Sequence, residues 1–265
     1  VPTLDLPDAA LDYDLSGDAG PLVVQLHGLN SSRERDERIG LDLGRALRGH
    51  RVLRYDARGH GRSSGGTDPR SYTWPRLADD LLALLDVVAP GERVHGLGPS
   101  MGSGTLLHAA VRHPERFASL TLAIPPTAWT TRRAQAATYL ANAELVEREG
   151  LAAFVARAEE AGAPPALADA PLTDPSVPEE LLPTVLRGAA ATDLPEPEAL
   201  RELDVPTLVL AWSDDAGHPL STAALLHELL DDSRLVVART PYGIMAWPGL
   251  FADHVATAGA LTARS

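Results

Sequence analysis

The residue best placed to do chemistry in this chain is a serine held between two glycines. In Gly98-Pro99-Ser100-Met101-Gly102 the serine follows an apolar run, RVHGLG at 93–98, and opens a helical pattern from Met101 to His113. A strand that turns sharply into a helix strains the backbone at the turning residue, so small residues two before and two after it are needed to avoid clashes. The helix beyond aims unpaired N–H groups and the positive end of its dipole at an oxygen near its start, which makes the Met101 N–H an expected oxyanion donor.

A hydroxyl near its ordinary pKa attacks poorly and needs an imidazole within hydrogen-bond reach. His218 stands three residues after Asp215 in SDDAGHP at 213–219. Three residues span at most about 10 Å, so a base and the acid that orients it can share this loop. Asp214 and Asp215 both precede it, and side-chain alternation lets at most one face the site while strand geometry persists. His254 falls on a helical stripe with Leu250, Phe251 and Val255 and is read as a helix residue against the sheet. His27, His60 and His95 are read as structural, and His50, His108, His113 and His227 carry no motif.

Other chemistries are excluded or lack support. Cysteine is absent, which removes thiolate nucleophiles, disulfides and Cys-type zinc sites. No H-x-x-x-H or H-E-x-x-H spacing occurs, and no dinucleotide fingerprint is present, so neither a metal nor any other cofactor is expected. With 23 basic against 36 acidic residues the formal charge is -13, the wrong sign for nucleic acid or an anionic membrane surface. No run reaches the ~18 apolar residues of a membrane span, and the acidic, turn-rich N-terminal stretch is unlike a secretory signal, so a cytoplasmic protein is expected. The first residue is Val1 rather than Met, which leaves room for a removed leader. Oligomeric state is not readable.

The elements that must position these groups alternate. Strand candidates lie at 21–27, 51–56, 93–98, 117–124, 207–212 and 234–238, and helical patterns run from Asp36 to Leu47, Trp74 to Val88, Met101 to His113 and Leu220 to Leu230. Alternation implies right-handed crossovers and a mostly parallel α/β sheet flanked by helices, with TLDL and ALDYDL near the N-terminus adding an antiparallel edge. It breaks between about Pro125 and Leu203, where helical segments surround a Pro-rich stretch. A segment of about 75 residues is too long for an ordinary loop and is expected to be a helical lid. The expected organisation is a core from 1–124 and 204–265 with a lid insertion at 125–203.

Taken together, these blocks resemble the α/β-hydrolase superfamily over essentially the whole chain. His27-Gly28 resembles the family's oxyanion loop, which implies a second oxyanion donor at the Leu29 N–H, with Asn30 as the alternative. RYDARGHGRS at 54–63 and TLVLAWSDDAGHP at 207–219 resemble two further family blocks, and the spacing to Pro219 implies Asp215 as the acid. The family commonly carries a helical lid at the position of the insertion. A serine nucleophile implies hydrolysis of ester, lactone, thioester, amide or carbon–carbon bonds. The chain departs from the family in one respect: the histidine commonly found as Gly-His after the last strand is replaced by Gly243-Ile244.

The expected function is therefore a lidded serine hydrolase of a small carbonyl substrate, acting through an acyl-enzyme on Ser100 with His218 as base and Asp215 as acid. Leu29 and Met101 would hold the oxyanion, and His27, Gly28, Asn30, Trp129 and Ile244 would border the substrate. Of the insertion's aromatics, Trp129, Tyr139 and Phe154 are read first as its own core. The missing histidine keeps two alternatives open: a fold that has lost hydrolysis and binds a ligand or runs another reaction, or a substitution at Ile244 that inactivated the site.

Overall fold

A computed structural model describes residues 2–171 and 173–262. Among these, the sheet is formed by β1 (Thr3–Leu6), β2 (Ala9–Ser16), β3 (Leu22–Gln25), β4 (Arg51–Tyr55), β5 (Val94–Pro99), β6 (Phe117–Ala123), β7 (Thr207–Trp212) and β8 (Ser233–Ala238). Their spatial order is β1-β2-β4-β3-β5-β6-β7-β8. The first two strands form the antiparallel edge, with Leu4 opposite Leu11 and Tyr13 opposite Tyr55, and every pair from β4 onward is parallel. Strands β3, β5, β6 and β7 are buried at every residue, as a sheet covered on both faces requires.

The helices follow in chain order as α1 (Arg33–Arg38), α2 (Trp74–Val88), α3 (Met101–Arg112), α4 (Arg132–Glu149), α5 (Leu151–Ala161), α6 (Leu182–Ala190), α7 (Pro197–Arg201), α8 (Leu220–Leu229), α9 (Pro241–Met245) and α10 (Trp247–Thr262). Leu77, Leu81 and Leu84 of α2, Leu106 of α3 and Leu226 of α8 join one apolar layer against the sheet. Trp247, Phe251 and Val255 of α10 join Leu43 in the layer on the opposite side. The helix expected from Asp36 to Leu47 is broken: α1 ends at Arg38, Gly40 takes φ +80°, and only a 3-10 turn follows at Leu43–Ala46. Glycine permits the left-handed backbone there, so the apolar spacing beyond it serves a separate short element.

Helices α4 to α7 occupy the interval between β6 and β7. Ala143, Val146, Phe154, Leu182 and Val185 form a satellite core of their own, closed against the main body by Tyr72. Arg132 anchors the start of this insertion. Its guanidinium lies 4.3 Å from the Trp74 ring centroid and its Nε donates to the Thr192 carbonyl at 2.7 Å.

The loop after β4 is held from below by an ion pair. Arg58 is wholly buried and donates from Nε and Nη2 to the two oxygens of Asp80 on α2, at 2.6 and 2.7 Å, and from Nη1 to Asp8 at 2.7 Å. Removing Asp80 takes away two of the three carboxylate contacts of a buried guanidinium and leaves only the more exposed Asp8, so Asp80→Ala is expected to cost about 3 kcal/mol in urea unfolding. A loss below about 1 kcal/mol, the range of exposed pairs, would show that water reaches Arg58.

Candidate active site

At the end of β5 the chain turns through Ser100 with φ +52° and ψ −111°, a conformation few non-glycine residues adopt. The two glycines are sterically required. A Cβ on Gly98 would lie 2.4 Å from the Gly102 carbonyl carbon, and one on Gly102 would lie 3.0 Å from the Leu26 Cβ and 3.1 Å from the His27 oxygen. Ser100 is thereby fixed at the mouth of α3, with its N–H bonded to the Ala123 carbonyl at 2.9 Å.

The acid loop meets it. His218 Nε2 lies 2.8 Å from Ser100 Oγ, and His218 Nδ1 lies 2.8 Å from Asp215 Oδ2. Because a carboxylate only accepts, Nδ1 carries the proton and Nε2 is left to accept from the Ser100 hydroxyl. Asp214 turns outward with φ +61° and is exposed, which leaves Asp215 as the carboxylate that faces the imidazole. The same carboxylate also accepts from Trp212 Nε1 at 2.8 Å and from the Gly217 N–H at 2.8 Å. Burial would raise its pKa, but the hydrogen bond and charge of His218, then the bonds from Trp212 and Gly217, outweigh that and hold it at about 2.

The loop after β3 borders Ser100 on the other side. His27 Nε2 accepts from the Ala57 N–H at 2.9 Å, so its Nδ1 donates to the Gly28 carbonyl at 2.8 Å. Burial holds its pKa low. A Cβ on Gly28 would stand 3.6 Å from the Ser100 Cβ, so the loop backbone passes close to the serine. Among the described residues, the N–H groups of Leu29 and Met101 have no acceptor. Arg33 ties the loop down by pairing with Asp12, with Asp14 at 2.9 Å and with Asp56 at 3.2 Å.

Residues 21–242 match the family model described as alpha/beta hydrolase fold. The chain belongs to that family. It is 30% identical over 233 residues to 3-oxoadipate enol-lactonase 2 of Acinetobacter baylyi, a match spanning 84% of this chain and 81% of that protein. Several other curated relatives are matched over less than half of their own length. Among solved structures, a hydrolase from Pseudomonas aeruginosa PA01 superposes with a TM-score of 0.74 at 28% identity, covering 97% of both chains. The enol-lactonase from Burkholderia xenovorans LB400 has a TM-score of 0.73 at 23% identity over 98% of this chain and 100% of its own, a likeness of fold.

In this alpha/beta hydrolase a cavity of about 600 Å³ reaches Ser100, Asp215 and His218 and is bordered by Gly28, Leu29 and Asn30. Three residues expected beside the substrate do not line it. His27 lies behind the loop in its backbone bonds. The Trp129 indole instead donates to the Pro195 carbonyl at 3.2 Å. Ile244 is buried in the apolar layer with Trp247. His254 bonds the Leu120 carbonyl at 3.1 Å, so no imidazole from the C-terminal helix approaches the serine. Among the described residues, no group of histidines and carboxylates is arranged to hold a metal ion, and no helix is long and apolar enough to cross a membrane.

The sequence reading missed Trp212, Arg35 and Asp36. Trp212 closes β7 three residues before Asp215, where a donor indole at a strand end was the available signal. Asp36 lines the cavity wall with one oxygen bonded by the Ser31 hydroxyl at 2.5 Å and the other without a partner. Burial pushes its pKa up to about 7, against the pull of Ser31 and Arg35. A carboxyl whose native pKa is raised keeps its proton where the unfolded chain has lost it, so its cost is absent below about pH 4 and complete above about pH 7. Asp36→Asn is therefore expected to stabilise the protein more at pH 8 than at pH 4, by up to roughly 4 kcal/mol in urea unfolding. A difference that does not change with pH would show that Asp36 does not titrate in this range.

Proposed function

We propose that this protein is a serine hydrolase of small ester or lactone substrates. The observation that carries the reading is the continuous hydrogen-bond chain from Asp215 through His218 to Ser100, 2.8 Å at each step. Ser100 Oγ attacks the carbonyl carbon while His218 Nε2 takes its proton, and Asp215 stabilises the imidazolium that forms. The negative oxygen of the tetrahedral intermediate accepts from the Leu29 and Met101 N–H groups. Collapse breaks the bond to the leaving oxygen, which receives the proton from His218 and leaves Ser100 acylated. Water then attacks the acyl group by the same route, releasing the acid and restoring the serine.

The hydrolase names among the relatives, the enol-lactonase above all, support hydrolysis as the reaction class. The base comes from the acid's own loop, which removes the need for a histidine after β8. Ile244 accordingly carries no catalytic role. The insertion acts as a lid, a reading supported by Phe154 and Val155 of α5 in the cavity wall, and its side chains exclude water and limit substrate size.

A fluorophosphonate is expected to label Ser100 in the parent, to leave Ser100→Ala unmodified, and to label His218→Ala about 10²–10⁴ times more slowly, as peptide mapping and intact mass would record. Equal labelling of the parent and His218→Ala would assign the base elsewhere, and no labelling of either would favour a protein that binds without hydrolysing. Ile244→His is expected to lower stability with no gain in ester turnover, because it buries an imidazole in an apolar layer. A gain in turnover would instead identify 244 as an inactivated catalytic position.

A further inference from the structure

The wall of the same cavity holds a cation with one edge of its guanidinium left open. Arg35, on α1 just beyond the oxyanion-side loop, is half-buried and lines the cavity together with Ser100. Its Nε donates to the Thr173 hydroxyl of the insertion at 2.6 Å, which tethers the guanidinium to that segment. That bond uses one edge of the group and leaves the edge formed by Nη1 and Nη2, whose N–H groups have no acceptor among the described residues. No carboxylate pairs with it. Arg38, the other cation of the wall, already pairs with Glu34.

Withdrawing a guanidinium from water is costly, and burial lowers the Arg35 pKa although the charge of neighbouring Asp36 pulls it the other way. A cation held in that way by a neutral hydroxyl is arranged to receive an anion from outside the protein. The free edge presents two parallel donors, the arrangement that a carboxylate accepts in bidentate fashion. The charge balance favours a monoanion over a dianion. The acidic groups of the wall also include Glu159, Asp174 and Asp215, so a carboxylate with its single charge meets less repulsion there than a dianionic phosphate.

We infer that Arg35 binds a carboxylate on the substrate, so that the preferred substrates are esters or lactones carrying a second, free acid group. This inference rests on Ser100 acting as the hydrolytic nucleophile of the same cavity. Arg35 is then a specificity residue: it holds the distal acid while Thr173 keeps the guanidinium in place. Because Thr173 belongs to the insertion, the bond also links carboxylate recognition to the position of that segment over the cavity.

The test pairs esters of matched length that differ only in the distal acid: monoethyl succinate, glutarate and adipate against ethyl butanoate, pentanoate and hexanoate, followed by acid release in a pH-stat. The parent is expected to favour the acid member of at least one pair in kcat/KM. Arg35→Met is expected to lower that ratio roughly 10- to 100-fold, mainly through KM, with partial recovery in Arg35→Lys. A ratio that Arg35→Met leaves unchanged, or no pair in which the acid is favoured, would overturn the inference. Should Arg35→Met fail to fold, Arg35→Gln and Arg35→Lys give the same comparison.

Binding separates this inference from the reading it rests on. Calorimetry of the monoethyl esters with Ser100→Ala, with and without the Arg35 substitution, needs no turnover. If the parent hydrolyses nothing but Ser100→Ala binds a monoethyl ester in an Arg35-dependent way, hydrolysis fails and the carboxylate site stands. If neutral esters are turned over equally well, hydrolysis stands and the carboxylate site falls. Inorganic phosphate competing better than the monoethyl esters would also overturn the assignment to a carboxylate.

Discussion

The left-handed turn at Ser100 is the constraint on which the rest of the site depends. A serine at φ +52° is strained, and it persists because the backbone around it is over-determined. Gly102 lets α3 approach Leu26 and the oxyanion-side loop, and Gly98 lets the turn approach Gly102 itself. The burial of β3, β5 and β6 behind the turn supplies the packing that offsets the strain. The outcome is a hydroxyl held at the C-terminal edge of a parallel sheet, where α3 begins and its first N–H groups are unpaired.

The second feature is the economy of the acid loop. In the family pattern the base arrives from the loop after the last strand, but here Ile244 packs at that place in an apolar layer with Trp247. Trp247 stacks on Trp212 with ring centroids 6.1 Å apart, and Trp212 in turn donates to Asp215. The C-terminal layer thus packs behind Asp215 and brings no histidine to Ser100. Two backbone N–H groups and two side chains converge on one carboxylate, which explains both its low pKa and the fixed orientation of the imidazole beside it.

Charge in the cavity is distributed unevenly. Asp36 and Arg35 are neighbours in sequence and each shifts the other's pKa, yet burial leaves one an acid pushed toward neutrality and the other a half-buried cation. Neither forms an ion pair with the other. Both line the cavity that reaches Ser100.

Much of this was legible in the sequence because it is local. The apolar runs that become β3 to β8, the glycines around Ser100, and the helical insertion after β6 each follow from the spacing of residues near one another, and so does the fold class. The proximity of Asp215 and His218 was within reach of the same reasoning, since residues three apart cannot be far from one another. What spacing could not decide was contact across the chain. Ser100 and His218 are separated by 118 positions, and only the docking of β7 beside β6 brings their side chains together. The same holds for the residues that sequence reading assigned to the substrate. His27, Trp129 and Ile244 lie near the right segments, but backbone bonds and apolar packing turn them away from the cavity, while Arg35 and Asp36, hidden in a run of charged residues, line its wall. Side-chain direction is set by what packs on the far side of each element, and that is information a one-dimensional pattern does not contain.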